Sequence, residues 1–213
     1  MIISFKHRFI YIKNRKVGGT SLERYLIEKL VDKKTDIHTG SIVSHYESNN
    51  IKSKDGSDIT GHLTIFDISK ILKKTLQEIL SYFFIFCIER NSYDKCVSAY
   101  NFHKTKNNYS FLDFLKTSDI THIPKDWGKY ALNKNIIGTV FQYQEFDKTF
   151  NDLNFYLNLK NDQLLSLKQF NSYQDKAGYS SKNKKYQEYY NEESKTIVKE
   201  IFKEEIYRFK YNF

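Results

Sequence analysis

The chain has 213 residues, of which 40% are hydrophobic and 28% charged, with a formal net charge of +9. That length suits one domain with a substantial core, and the ordinary composition excludes a disordered or fibrous chain. No stretch approaches the ~20 apolar residues of a membrane span. The positive balance favours anionic partners: a nucleotide, a nucleic acid, an acidic glycan or an acidic membrane. A lysine-rich solvated surface is the plainer alternative.

The start of the chain, Met1-Ile2-Ile3-Ser4-Phe5-Lys6, has neither the long apolar segment nor the small-residue cleavage site of a secretion signal, so a cytoplasmic protein is expected. Cys87 and Cys96 lack metal or disulfide-scaffold spacing and are expected to be reduced thiols. A single proline, Pro124, leaves no Pro-rich linker, and residues 1–213 read as one domain.

Residues 9–12 (Phe-Ile-Tyr-Ile) form a short buried strand. A loop over 14–19 leads into a helix from about Thr20, with Leu22, Tyr25, Leu26 and Leu30 on one face. Residues 36–61 are a long polar connection, of the kind that is usually functional or mobile. Asp67 or Ser69 caps a predicted helix over 70–81. Residues 82–89 are the clearest buried strand, followed by Arg90 and a helix over 93–103. Ser110 opens a short helix with a capping box. A third strand covers 139–143, a helix 147–159, a basic loop 168–185 and a long amphipathic helix 191–209. Strands alternating with helices predict an α/β fold, a parallel sheet flanked by helices, with ligands at the carboxyl ends of the strands.

Two of those strand ends carry unusual chemistry. Lys16-Val17-Gly18-Gly19-Thr20-Ser21 lies between a strand and a helix. Its glycines let backbone N–H groups approach an anion, the helix N-terminus adds partial positive charge, and Lys16 adds a full one. The nucleoside-triphosphate loop, whose lysine follows the last glycine, is absent. At the second end, Arg90 would be costly to bury without an anion to pair it, and Ser98, eight residues on, can donate to the same anion. A salt bridge from Arg90 to a neighbouring carboxylate is the alternative.

Together, the segments Lys16 to Ser21 and Arg90 to Tyr100 resemble the sulfotransferases that use 3′-phosphoadenosine 5′-phosphosulfate (PAPS). The match is to the carbohydrate and bacterial branch, with its K-T/A-G/A-G-T-S and R-N-P-Y/W-D-R-x-x-S-x-Y segments. The stretch 186–209 resembles the family's closing helix, and Gln144-Glu145-Phe146 its turn after a strand. Ser92 stands where the family has proline and Lys95 where it often has arginine. The resemblance implies a P-loop-like sulfotransferase domain over the whole chain, with 36–61 as an acceptor-side insertion and 168–185 as a loop over the nucleotide.

It further implies that Arg15, Lys16, Gly18, Gly19, Thr20 and Ser21 hold the 5′-phosphosulfate, and that Arg90 and Ser98 hold the 3′-phosphate. Tyr179, Ser180 and Lys182 are expected to close over the nucleotide, with Lys176 and Lys184 beside them. Lys16 is the expected catalytic cation on the leaving oxygen, and no metal is expected. His62 is the first choice of base for the acceptor hydroxyl, since a histidine of ordinary pKa suits that work at neutral pH; His38, His45 and Glu47 are the fallbacks. The acceptor is unread, with a carbohydrate favoured and a lipid-linked sugar, a small alcohol, a phenol or a peptide tyrosine also open. A nucleotide phosphotransferase and a non-enzymatic binder of glycan or nucleic acid are the rival readings; the sulfotransferase reading needs no nucleic acid and no membrane insertion.

Overall fold

The structure, a computed structural model, describes residues 1–32, 34–38, 62–104, 109–116, 122–173 and 184–213. In chain order its elements begin with strands β1 (Ile2–Ser4) and β2 (Phe9–Ile12), helix α1 (Gly19–Leu30), strand β3 (Ile37–His38) and helices α2 (Ile65–Leu72) and α3 (Leu76–Tyr82). Strand β4 (Phe84–Glu89) follows, then helices α4 (Ser92–Lys104), α5 (Phe111–Lys116) and α6 (Trp127–Tyr130). The rest comprises strands β5 (Ala131–Leu132), β6 (Asn135–Ile136) and β7 (Thr139–Gln142), and helices α7 (Phe146–Tyr156), α8 (Leu167–Phe170), α9 (Glu192–Ile201) and α10 (Lys203–Phe209).

The main sheet has the order β3-β1-β2-β4-β7. Strands β2, β4 and β7 are parallel, as the alternating pattern predicts, with Phe9 opposite Phe84 and Phe86 opposite Thr139. Strands β1 and β3, which the sequence pattern did not reveal, extend it in antiparallel fashion beyond β2. Alternation along the strands sorts the core into two layers. Phe9, Tyr11, Phe86, Ile88 and Phe141 face α1 and α7, while Ile10, Ile12, Ile85 and Cys87 face α2, α3 and Tyr130. A third cluster, around Tyr100, Phe114, Val198 and Phe202, joins α4, α5 and α9. Gly138, at φ 85°, leads into β7 so close to β4 that a Cβ there would lie 2.4 Å from the Ile85 carbonyl oxygen.

Two predicted helices differ from what is observed. The 70–81 helix is two helices: Lys73 turns into the left-handed region at φ 51° and ends α2, and Thr75 starts α3 with a capping box to Glu78. The cap of α2 is Thr64, and Asp67 is its reciprocal partner in the first turn. The 191–209 helix is kinked at Phe202, whose φ of −114° lies outside the helical range while its buried ring anchors the third cluster. Of the 168–185 loop, residues 167–170 form α8, and 174–183 lie outside the described residues. Among the described residues no helix is long and apolar enough to cross a membrane. Cys87 and Cys96 are buried free thiols.

Helix α10 places Glu205 in the interior with 3% of its surface exposed. Burial, helped by the negative charge of Glu89, pushes its carboxyl up to about 7. The unfolded chain therefore loses this proton first as pH rises, and stability falls between the ordinary carboxylate pKa of ~4.5 and about 7. Urea unfolding across that range should show Glu205→Gln losing less stability than the parent, by up to about 3 kcal/mol; parallel curves would refute this role.

Candidate active site

The loop after β2 is shaped by unusual backbone. Lys16 adopts φ 60° and Gly18 φ 69°, both left-handed, so the chain reverses tightly into α1. Val17 points into the core and is fully buried, fixing the turn from below. Gly18, the N-cap of α1, makes no side-chain cap, which leaves the first-turn N–H groups facing the cavity that Gly19, Thr20 and Ser21 line. Lys16 extends across that cavity, its Nζ 4.2 Å from the centre of the Phe102 ring.

Arg90 follows β4 directly. Asp94, one turn along α4, accepts from Arg90 Nε at 2.7 Å and from Nη2 at 2.8 Å. Nη1 donates to the Lys16 carbonyl at 3.2 Å, and the guanidinium stacks 4.5 Å from the centre of the Tyr143 ring. The structural ion pair foreseen as the alternative is thus present, and it orients the arginine. Three of the five guanidinium N–H donors are engaged by described residues, which leaves two for a ligand. Asp94, Val97, Ser98 and Asn101 share one face of α4 and line the same cavity. The cavity has a volume of about 620 Å³ and is lined by the loop that precedes α1, Arg90, Ser98, Tyr143, Tyr186 and Lys184.

Behind both motifs lies a buried ionic network. Glu89, fully buried, accepts from the Arg90 backbone N–H at 2.8 Å, Lys95 Nζ at 2.7 Å and the Tyr130 hydroxyl at 2.9 Å. Asn14, in the loop that precedes α1, donates to the Ile88 carbonyl at 2.9 Å and reaches Glu89 at 3.4 Å. Lys95 also pairs with Asp126 at 2.9 Å, and Asp126 accepts from the Arg15 backbone N–H at 2.8 Å and its Nε at 3.1 Å. Burial alone would raise the Asp126 carboxyl, but Lys95, Lys129 and Arg15 hold it well below the usual carboxylate range. Burial alone would lower Lys95, but Asp126 and Glu89 outweigh it and raise its ammonium pKa.

His62 borders the same cavity. Its Nδ1 lies 3.0 Å from the Lys13 carbonyl, which can only accept, so Nδ1 carries the proton and Nε2 keeps its lone pair. The residue as a whole is exposed, yet the nitrogen edge of its ring is packed on the loop. That desolvation, with Lys129 adding to it, pushes the ring pKa down to about 4, so the expectation of an ordinary histidine is corrected. The fallback His38 is buried in β3 and does not line the cavity, while His45 and Glu47 lie outside the described residues.

Arg15, Lys16, Gly18, Gly19, Thr20, Ser21, Arg90, Ser98 and His62 all line one cavity. Tyr179, Ser180, Lys182 and Lys176 lie outside the described residues; Lys184 lines the cavity, with its Nζ 4.5 Å from the centre of the Tyr189 ring. Asp94 and Tyr143 were not singled out in the sequence. Asp94 stands one helical turn after Arg90, and Tyr143 follows the end of β7, so spacing and strand ends were the available signals. Among the described residues no group of three His, Cys, Asp or Glu side chains is placed to hold a metal ion.

No family model matches the chain, and no curated protein sequence matches it significantly. Its fold is similar to that of a solved structure, mouse sulfotransferase SULT7A1 complexed with PAP, the 3′-phosphoadenosine 5′-phosphate product of PAPS. The TM-score is 0.51 at 15% sequence identity, over 96% of this chain and 86% of that one. The chain has the sulfotransferase fold.

Removing one partner of a buried ion pair leaves the other uncompensated, at a typical cost of about 3–5 kcal/mol. Glu89→Gln and Lys95→Met should each destabilise by about that much, and the double variant by clearly less than the two combined. Chemical denaturation of the four proteins tests the coupling; additive losses would dissolve the network as a unit.

Proposed function

We propose that the chain is a sulfotransferase that moves a sulfuryl group from PAPS to a hydroxyl of an acceptor, a carbohydrate in the first instance, in the cytoplasm. The observation that carries the reading is one cavity walled by two anion-binding motifs, joined by the hydrogen bond from Arg90 Nη1 to the Lys16 carbonyl. A single phosphate would fill little of about 620 Å³, whereas a nucleotide with anionic groups at two ends suits it. The fold shared with a sulfotransferase supports the same reading.

The residues present fit such a donor. Arg90 has two N–H donors to offer a 3′-phosphate, with Ser98 beside it on the α4 face. The uncapped first turn of α1, Thr20, Ser21, Lys16 and Arg15 offer donors and charge to the phosphosulfate end. Tyr179, Ser180 and Lys182 complete the proposed nucleotide site. When bound, PAPS supplies an electrophilic sulfur and a bisphosphate leaving group. The acceptor oxygen forms its bond to sulfur as the sulfur–oxygen bond to the phosphate breaks, and Lys16 with the α1 amides stabilises the charge left on that oxygen. His62 takes the acceptor proton at Nε2. With its ring pKa near 4, the neutral base form is fully available at pH 7.

Calorimetry with PAP, alongside AMP and ATP–Mg²⁺, tests the donor site. PAP should bind in preference to both, and Arg90→Ala should weaken it by about 100-fold, the equivalent of ~3 kcal/mol. Better binding of ATP would favour a phosphotransferase, and no nucleotide binding would favour a non-enzymatic anion binder. His62→Gln should leave PAP affinity intact and lower kcat by about 10²–10⁴-fold. The acid limb of the parent's rate profile should fall near pH 4 rather than near 6.5; a limb at 6.5 that survives in His62→Gln would assign the base elsewhere.

A further inference from the structure

Beyond the phosphate loop the cavity wall continues as a row of rings. Lys16 Nζ stands 4.2 Å over Phe102, Phe102 meets His103 edge-on at 5.2 Å, and His103 lies 4.2 Å from His122 with the rings tilted by 37°. All four side chains line the same cavity. His103 comes from the last turn of α4 and His122 from the segment that leads to Pro124, so the pair exists only in the folded chain. Phe114 of α5 backs His103 at 6.2 Å and steadies its ring.

The charge on this flank is one-sided. Arg15, Lys16 and three imidazoles, those of His62, His103 and His122, line it. Among the described lining residues the carboxylate is Asp94, and both of its oxygens are taken by Arg90. Asp126 and Glu23 are buried behind the wall, bound to Arg15, Lys95 and Lys129 in one case and to Lys13 in the other. The C-terminal end of α4 favours a positive charge on His103. A ligand anion within reach of both rings gains charge-assisted hydrogen bonds. Phe102 stands between this pair and Lys16, and so keeps such an anion apart from the charge that Lys16 serves.

Resting on the sulfuryl-transfer reading, we propose that His103 and His122 form an acceptor subsite for an anionic group. The acceptor is then a hydroxyl compound that already carries a carboxylate or a sulfate, an acidic sugar in the simplest case, rather than a neutral alcohol or phenol. His103 and His122 determine specificity; the proton transfer stays with His62.

The test uses the protein loaded with PAP and three probes, methyl β-glucoside, methyl β-glucuronide and methyl β-glucoside 6-sulfate, with Kd values taken from ligand-observed NMR titrations. At least one charged probe should bind about tenfold more tightly than the glucoside, equivalent to about 1.4 kcal/mol. Whether the glucuronide or the sulfate gains more tells a carboxylate acceptor from a sulfated one. In H103Q/H122Q the preference should collapse while PAP affinity, measured on the same sample, stays at the parent value and shows the fold intact. Equal binding of all three probes, no binding of any with PAP in place, or a charge preference that survives in H103Q/H122Q would overturn the subsite and leave the donor reading standing. Failure of PAP itself to bind the parent would overturn both.

Discussion

The site rests on one carboxylate, Glu89, at the carboxyl end of β4. It is fully buried, where an unpaired charge would cost several kcal/mol. It persists because four groups from four parts of the chain converge on it: Asn14 of the loop before α1, the Arg90 backbone, Lys95 of α4 and Tyr130 of α6. Lys95 carries the connection to Asp126, which holds Arg15 by its backbone and its side chain. The loop that precedes α1 and the arginine that follows β4 are therefore fixed to each other through the interior. The strand pairing of β2 with β4 brings the two ends together, and the network sets their spacing.

At Arg90 a structural ion pair leaves room for the proposed ligand contact. Asp94 takes Nε and one side of Nη2, the edge that faces along α4, and the Lys16 carbonyl takes part of Nη1. Tyr143 covers one face of the guanidinium plane. The arginine is thereby held in one orientation before any anion arrives, and its ordering entropy is not charged to binding. A freely rotating arginine at this position would carry the same charge with weaker discrimination.

Much of this was legible in the sequence because it is local. The apolar runs at 9–12 and 82–89, the Gly18-Gly19 turn and the spacing of Arg90 and Ser98 lie within single elements, and periodicity or turn chemistry exposes them. What was missed depends on contacts across the chain. Strand β1 is three residues long, too short for a period to register, and becomes a strand by pairing with Phe9 to Tyr11. Asp126 reads as one more charged residue near Pro124 until folding places it 2.9 Å from Lys95 and beside Arg15. Lys73 and Lys74 are good helix formers and favour an unbroken 70–81 helix, but the competing cap at Thr75 starts a new one. His62 lines the cavity, but its pKa is set by packing on Lys13 and by the charge of Lys129, neither of which has a local signature.

The same network accounts for the sign of the field at the cavity. Its cations are Lys95, Arg15 and Lys129, and its carboxylates are Glu89 and Asp126, so three positive charges face two negative ones. The charge next to the loop that precedes α1 is thus positive, with Arg15 partly exposed and Lys95 and Lys129 buried. Glu205 is the swing member. Held by burial at a pKa of about 7, it is neutral on the acid side of that value, and the excess of one positive charge stands; as it ionises the balance becomes even. Surface charges are screened by salt within about 10 Å at 0.1 M, whereas a buried imbalance is screened far less. An anion site built on this network keeps its attraction in salt.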